Sequence, residues 1–132
     1  MGTTLHWPAL VTLAALTLLF GCAWLVGRAR RRYQVRAPAA NGPEGFERAM
    51  RVQTNTLENT VIFLPALWLA ALYFNPRIAA VLGFVWIVAR VWYAWAYARD
   101  AGKRGAPFII AMIAWAALMV LALWGILTSP LW

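Results

Sequence analysis

Four long apolar stretches constrain this chain more than any other feature of its sequence. They cover residues 8–27, 46–74, 76–99 and 107–128, and the first and the last contain no charged residue. Each is close to or longer than the roughly 20 residues that an α-helix needs to cross the hydrocarbon core of a membrane. Because lipid cannot satisfy backbone polar groups, stretches of this length indicate helices. The sequence therefore predicts an all-α integral membrane protein, with one domain of four spanning helices over residues 1–132.

The composition supports a membrane location and excludes two other classes. Hydrophobic residues make up 64% of the chain and charged residues only 12%, whereas about 25% of a soluble domain is charged. An ordinary soluble enzyme and a disordered chain are both excluded. The nine tryptophans are typical of the aromatic belts at the two membrane surfaces. The net charge of +8 comes from basic residues grouped in loops, so it indicates membrane topology and no nucleic-acid partner.

The connections between the apolar stretches are short, which makes consecutive helices antiparallel and predicts an up-and-down bundle. The second connection is little more than Asn75-Pro76. Basic residues are concentrated in and beside the first and third connections: Arg28, Arg30, Arg31, Arg32, Arg36, Arg48, Arg51, Arg99, Lys103 and Arg104. By the positive-inside rule these two connections face the cytoplasm, and both termini lie on the non-cytoplasmic side. Trp7 and Trp132 are expected to anchor that outer boundary.

The second and third stretches carry polar residues at helical spacing. Arg51, Asn55 and Glu58 follow the pattern i, i+4, i+7, and Arg90, Tyr93 and Tyr97 follow i, i+3, i+7, so each set shares one helix face. Polar residues inside membrane segments are costly and usually functional. The tight connection makes these two helices neighbours, with both polar faces in the cytoplasmic half of the membrane. The sequence therefore predicts a polar cleft between them.

The residue types in this cleft suit a small zwitterion that carries several carboxylates. Guanidinium groups bind carboxylates in a bidentate manner, Glu58 suits an ammonium group, and an amide with two phenols suits a peptide backbone. Structural roles remain open for the same residues. Arg51 and Glu58 can form an internal ion pair, Asn55 can link helices by a hydrogen bond, and the tyrosines can belong to an interfacial belt. Arg90 can be a structural charge.

Two segments resemble a known family. The segment 46–59, FERAMRVQTNTLEN, resembles the signature of the MAPEG family, the membrane-associated proteins of eicosanoid and glutathione metabolism. The segment 89–104, ARVWYAWAYARDAGKR, is similar to the third helix and the following loop of the same family. The resemblance implies a homotrimer that binds glutathione as co-substrate in a cytoplasm-facing cleft between neighbouring subunits.

No spacing of residues typical of a metal site is found in the sequence, so no metal site is expected. The resemblance also implies roles for individual residues. By position, a set of residues matches those that hold glutathione in the branch that includes leukotriene C4 synthase: Arg51, Asn55, Glu58, Tyr93, Tyr97, Gln53 and Arg30. Arg104 matches the arginine that activates the glutathione thiol. Arg31 matches a second catalytic arginine, which acts on the lipid substrate.

The expected function is that of a microsomal-type glutathione transferase. Its expected reactions are conjugation of glutathione to lipophilic electrophiles and, as a second activity, glutathione-dependent reduction of lipid hydroperoxides. Membrane lipid is expected to surround the protein. The expected location is the inner (cytoplasmic) membrane of a bacterium, since the high use of alanine and arginine is compatible with a GC-rich genome. One alternative is a non-catalytic lipid-binding or scaffold protein of the same fold. A small multidrug exporter is less favoured, because the arginines near Glu58 repel cationic drugs.

Overall fold

Four long helices account for most of the computed structural model, which describes residues 4–130. They are α1 (His6–Tyr33), α2 (Glu44–Tyr73), α3 (Pro76–Arg99) and α4 (Gly105–Thr128), with a 3-10 turn at Ala101–Arg104 before α4. No strand occurs within residues 4–130. The four helices are long and apolar enough to cross a membrane. The prediction of an all-α, four-helix membrane bundle is confirmed.

The first helix is longer than the apolar stretch that predicts it. The predicted span ends at residue 27, but α1 continues to Tyr33 and includes Arg30, Arg31 and Arg32 in its last turn. Hydropathy marks only the part of a helix that lies in lipid, and arginine is a good helix former. Basic side chains also interact favourably with the carboxyl end of the helix dipole. The helix ends at Gln34, which adopts the left-handed conformation (φ 56°).

The short connection between α2 and α3 contains the N-terminal cap of α3. The side-chain oxygen of Asn75 accepts hydrogen bonds from the backbone N–H groups of Arg77 (2.9 Å) and Ile78 (3.1 Å). Pro76 follows at the first helical position, where its missing N–H has no helical partner to lose. This local chemistry explains why α3 begins at once, so that α2 and α3 lie side by side.

The α2–α3 pair is the centre of the bundle. The helix α1 packs against both α2 and α3, and α4 packs against the same two helices. Small residues dominate the buried positions, among them Ala15, Ala66, Ala70, Ala79 and Ala114. Small side chains allow membrane helices to approach closely. The rings of Phe63 and Trp86 stack at 3.8 Å in the same core, whereas Phe20, Trp24 and many other large apolar side chains on the outer faces are exposed.

The two ends of the bundle differ in charge. Arg28, Arg32 and Arg99 line one cavity, so the first and third connections lie at the same end. Trp7 and Arg77 lie together at the opposite end. Trp132, the second expected anchor, lies outside the described residues. The side of the membrane that each end faces remains a prediction.

Candidate active site

The polar faces of α2 and α3 meet in one cleft at the basic end of the bundle. The cleft has a volume of about 330 Å³, which is at the lower end of the range for small-molecule sites. Its lining comes from α2, from α3 and from the 3-10 turn before α4. The lining residues are Arg51, Thr54, Asn55, Glu58, Tyr93, Tyr97 and Arg104.

The α2 side of the cleft is open and charged. Arg51, Thr54 and Glu58 lie on one face of the helix, with Arg51 and Glu58 exposed. The Nη2 atom of Arg51 lies 3.3 Å from Oε1 of Glu47, one turn earlier on the same helix, and the Arg51 side chain is 61% exposed. Arg51 is therefore paired with Glu47 and not with Glu58, contrary to the internal ion pair considered from the sequence.

The side chain of Asn55 accepts a hydrogen bond from a buried arginine that lies outside the cleft. Its Oδ1 atom accepts hydrogen bonds from Nη2 of Arg90 (2.8 Å) and from Nδ2 of Asn59 (3.3 Å). The Arg90 side chain is fully buried, and its Nη2 atom also donates to Oγ1 of Thr56 (2.7 Å). Because the carboxamide oxygen of Asn55 is engaged, its N–H groups are the donors left for a ligand. Arg90 thus acts behind the cleft and does not line it.

The α3 side of the cleft is aromatic. Tyr93 and Tyr97 are buried inside the bundle, so they are not part of an interfacial belt, and their ring centroids lie 5.6 Å apart. The guanidinium carbon of Arg90 lies 4.2 Å from the Tyr93 ring centroid. The guanidinium carbon of Arg104 lies 5.1 Å from the Tyr97 ring centroid. The 3-10 turn therefore brings Arg104 over the tyrosine face of α3.

Three of the residues predicted for the site do not line this cleft. Arg30 lies on α1, where its Nη1 atom donates to the carbonyl oxygen of Ala39 (2.8 Å). Arg31 is exposed in the last turn of the same helix. Gln53 is two positions from both Arg51 and Asn55, about 200° around α2 from each. One chain therefore brings together six of the nine predicted residues, and these three lie elsewhere.

Two features of the cleft were missing from the sequence-based site. Thr54 lines it, and the signal was available, since Thr54 is three residues after Arg51 and four before Glu58. The contact of Arg90 with Asn55 had no such signal, because it joins two helices and depends on how they are rotated. Within residues 4–130, His, Cys, Asp and Glu form no group of three that could hold a metal ion.

The cleft combines positive charge with neutral hydrogen-bonding groups. Arg51 and Arg104 carry two positive charges and Glu58 one negative charge, beside an amide, a hydroxyl and two phenols. Such a site favours a ligand with more than one carboxylate and one ammonium group, since guanidinium groups bind carboxylates strongly. Arginine also stays protonated at any physiological pH, so it can stabilise an anion that forms within the cleft.

Comparisons with known proteins identify the family of this chain. A sequence model of the MAPEG family matches residues 8–124. The chain belongs to the MAPEG family. Like this family as a whole, it is an integral membrane protein, in keeping with its four spanning helices.

Relatives in the MAPEG family are similar over most of their length. An uncharacterised protein of Synechocystis is 49% identical over 98% of this chain and 92% of its own length. Microsomal glutathione S-transferase 2 of Mus musculus is 44% identical over 86% of this chain and 81% of its own length. Leukotriene C4 synthase of Cavia porcellus is 40% identical over 90% of this chain and 79% of its own length.

Proposed function

We propose that this MAPEG protein is a glutathione transferase that binds glutathione in the cleft and activates its thiol for attack on a lipophilic second substrate. The observation that carries the proposal is the convergence of Arg51, Asn55, Glu58 and Arg104 on one cleft. Similarity to microsomal glutathione S-transferase 2 supports the same conclusion.

Glutathione matches the groups of the cleft one by one. It carries two carboxylates, one ammonium group, two amides and a thiol. Arg51 is exposed toward solvent and binds a carboxylate, Glu58 binds the ammonium group, and the N–H groups of Asn55 bind a carbonyl or carboxylate oxygen. The hydroxyl groups of Tyr93 and Tyr97 complete the binding of the peptide backbone.

Arg104 is the residue we assign to thiol activation. A free thiol has a pKa of about 8.5 and the thiolate is the nucleophile. A guanidinium within hydrogen-bonding distance lowers the pKa of such an acid by roughly 1–3 units, which raises the thiolate fraction at neutral pH. Arg104 lies at the start of α4, beside the Tyr97 ring, where the thiol can be reached from the membrane boundary.

The chemistry that follows needs no further cofactor. In conjugation, the thiolate sulfur forms a bond to an electrophilic carbon, and either a leaving group departs or an epoxide C–O bond breaks and its oxygen takes a proton. In hydroperoxide reduction, the thiolate attacks the terminal peroxide oxygen and the O–O bond breaks. This yields an alcohol and a glutathione sulfenic acid, which a second glutathione converts to the disulfide and water.

We infer that Arg30, Arg31 and Gln53 complete the site from a neighbouring subunit of a homotrimer. Within one chain they lie away from the cleft, on α1 and on the other side of α2, although the family pattern assigns them to the same site. Arg30 and Gln53 would then contact glutathione and Arg31 would act on the second substrate. The cleft would face the cytoplasm, at the basic end of the bundle, in the inner membrane of a bacterium.

The test is a thiolate measurement that requires no knowledge of the second substrate. Glutathione is added to the purified protein in detergent at neutral pH, and the ultraviolet difference spectrum of the thiolate is recorded. We expect a saturable thiolate signal that is lost in Arg104→Ala and retained in Arg36→Ala, a matched control because Arg36 is exposed in the first connection, outside the cleft. Binding of glutathione to both variants is measured by calorimetry.

Each outcome of this measurement has a clear meaning. A folded wild-type protein that binds no glutathione would refute the proposal and favour a non-catalytic lipid-binding or scaffold protein of the same fold. If Arg104→Ala binds glutathione and gives the same thiolate signal as the wild type, only the assignment of thiol activation to Arg104 is refuted.

A further inference from the structure

A second cavity lies on the opposite side of the α2–α3 pair from the glutathione cleft. Its volume is about 480 Å³, and it lies between α1, the start of α2 and the end of α3. Four arginines line it: Arg28, Arg32, Arg48 and Arg99. Among the described residues that line this arginine pocket, none is acidic, and none also lines the glutathione cleft.

The positive charge of the arginine pocket is only partly balanced. Arg48 donates through Nη1 to Oε1 of Glu44 at 2.8 Å, but the Glu44 side chain is 81% exposed. The Nε atom of Arg48 is buried and has no hydrogen-bond partner among residues 4–130. A buried donor without a partner is unfavourable. An anion in the pocket would offset the positive charge of the arginines that line it.

An apolar groove continues from the arginine pocket along α1 and α3. It has a volume of about 490 Å³, and Leu25, Ala94 and Arg99 line both cavities. The apolar part is lined by Leu18, Gly21, Trp24, Val91 and Trp95, among others. On α1 the combined lining extends from Leu18 to Tyr33, about 22 Å at the helical rise of 1.5 Å per residue. The combined site is charged at one end and apolar at the other.

Two observations indicate that the charged end of this site lies at the membrane surface. The uncharged part of α1 ends at residue 27, and Arg28 is the first charged residue after it. The guanidinium carbons of Arg28 and Arg99 lie 5.8 and 4.3 Å from the ring centroids of Trp24 and Trp95. Tryptophan and arginine are the residues that anchor helices at this depth.

We propose that the arginine pocket and the apolar groove together bind one anionic phospholipid. The phosphate lies among the four guanidinium groups that line the pocket, and one acyl chain lies in the groove between α1 and α3. Basic pockets between spanning helices at the cytoplasmic surface are typical sites for anionic headgroups. A phosphate with several acceptor oxygens suits four arginines better than the single carboxylate of a fatty acid does.

Native mass spectrometry of the detergent-purified protein tests this site. The protein is titrated with phosphatidylglycerol and with phosphatidylcholine of the same acyl chains. We expect a preference for phosphatidylglycerol that falls about tenfold in the double variant Arg28→Gln/Arg48→Gln, since each basic residue near a headgroup contributes substantially to binding. The control, Arg36→Gln/Arg77→Gln, removes the same charge outside the pocket and should keep the preference. An unchanged preference in the pocket variant would overturn the proposal.

A second variant tests the acyl-chain half of the site independently. Gly21 lines the groove, and a Cβ atom added there meets no heavy atom within 4 Å, so Gly21→Leu is chosen to place apolar atoms in the groove. We expect it to weaken binding of both lipids several-fold and to leave the headgroup preference unchanged. Unweakened lipid binding in this variant would exclude the groove as the acyl-chain site.

Competition with inorganic phosphate and with palmitate shows whether the pocket binds a phospholipid, free phosphate or a fatty acid. Inorganic phosphate at the concentration of the lipid should not displace phosphatidylglycerol, because it lacks an acyl chain for the groove. Displacement at equal concentration would mean that the pocket is a site for free phosphate, and the proposal would fail. Palmitate that binds as tightly as phosphatidylglycerol would likewise assign the site to fatty acids. The site residues changed in the glutathione measurement and in this test are different, so either proposal can fail alone.

Discussion

Arg90 and Asn55 form the contact on which the geometry of the cleft depends most. Arg90 is a cation in the interior of a membrane bundle, where it contacts Asn55, Thr56 and the Tyr93 ring. Its Nε and Nη1 atoms have no hydrogen-bond partner within the described part of the chain. A group that is this costly to bury is expected to have a role, and its contact with Asn55 indicates that it positions that amide.

Removing the Arg90 guanidinium should therefore weaken glutathione binding without changing thiol activation. In Arg90→Met we expect the glutathione concentration at half-saturation to rise about tenfold, because the Asn55 amide loses a charge-assisted hydrogen bond. The thiolate fraction of bound glutathione should stay the same, since Arg104 is unchanged. The thiolate difference spectrum, titrated with glutathione at several pH values, measures both quantities. An altered thiolate fraction at saturation would contradict a positioning role for Arg90. The control is Arg99→Met, which removes an arginine outside the cleft and should leave glutathione binding unchanged.

Arg51 offers the complementary test on the open side of the cleft. We expect Arg51→Ala to raise the dissociation constant of glutathione about tenfold, the effect of losing one charge-assisted contact. The rate at saturating glutathione should remain close to that of the wild type. Calorimetry and initial rates with an electrophilic test substrate give the two values. An unchanged dissociation constant would place the carboxylates of glutathione elsewhere.

At the scale of helices, the packing depends on close approach at a few small residues. Gly125 on α4 is buried against the end of α2, where a Cβ atom would overlap the backbone carbonyl of Tyr73. Backbone atoms cannot move aside as the end of a flexible side chain can. Gly125 therefore allows α4 to approach the α2–α3 turn closely.

Substitution of Gly125 should destabilise the bundle. We expect Gly125→Ala to lower the melting temperature in detergent by several degrees, the effect of about 1–3 kcal/mol from overpacking. Gly27→Ala is a matched control, since a Cβ atom at Gly27 meets nothing within 4 Å, and its melting temperature should be unchanged or slightly higher. Melting is followed by circular dichroism. Equal effects of the two substitutions would refute the close-approach explanation.

At the scale of the whole molecule, the position of Arg30 distinguishes a shared site from a self-contained one. Arg30 lies on α1, away from the cleft of its own chain. If a neighbouring subunit supplies it, then Arg30→Ala and Arg104→Ala damage opposite sides of the same interface. A trimer that contains both variants then has some interfaces in which both residues are intact.

Mixed trimers should therefore recover activity. When Arg30→Ala and Arg104→Ala chains are co-expressed in equal amounts, about a quarter of the interfaces should combine an intact Arg104 with an intact neighbouring Arg30. We expect about a quarter of the wild-type thiolate signal, although each variant alone has little. Co-expression of wild type with Arg104→Ala, which should give about half, is the control. No recovery in the mixture would show that Arg30 and Arg104 act within the same chain.

The sequence by itself determined the elements and much of the candidate site. Uncharged stretches of membrane length specify helices because lipid leaves the backbone no other partner, and Asn75-Pro76 specifies where α3 begins. Helical spacing placed Arg51, Asn55 and Glu58 on one face, because residues three and four apart on a helix are neighbours whatever surrounds them. The prediction that Arg104 belongs to the site came from motif resemblance and not from helical periodicity.

Only the tertiary structure decided how these faces meet. Whether Arg51 pairs with Glu58 or Glu47, whether Tyr93 is buried, and what holds Asn55 all depend on the rotation of each helix about its axis. That rotation is set by the packing of many small residues against one another, which no single pattern in the sequence encodes. The same packing left Arg28, Arg32, Arg48 and Arg99 around one pocket, although they come from three helices that hydropathy treats separately.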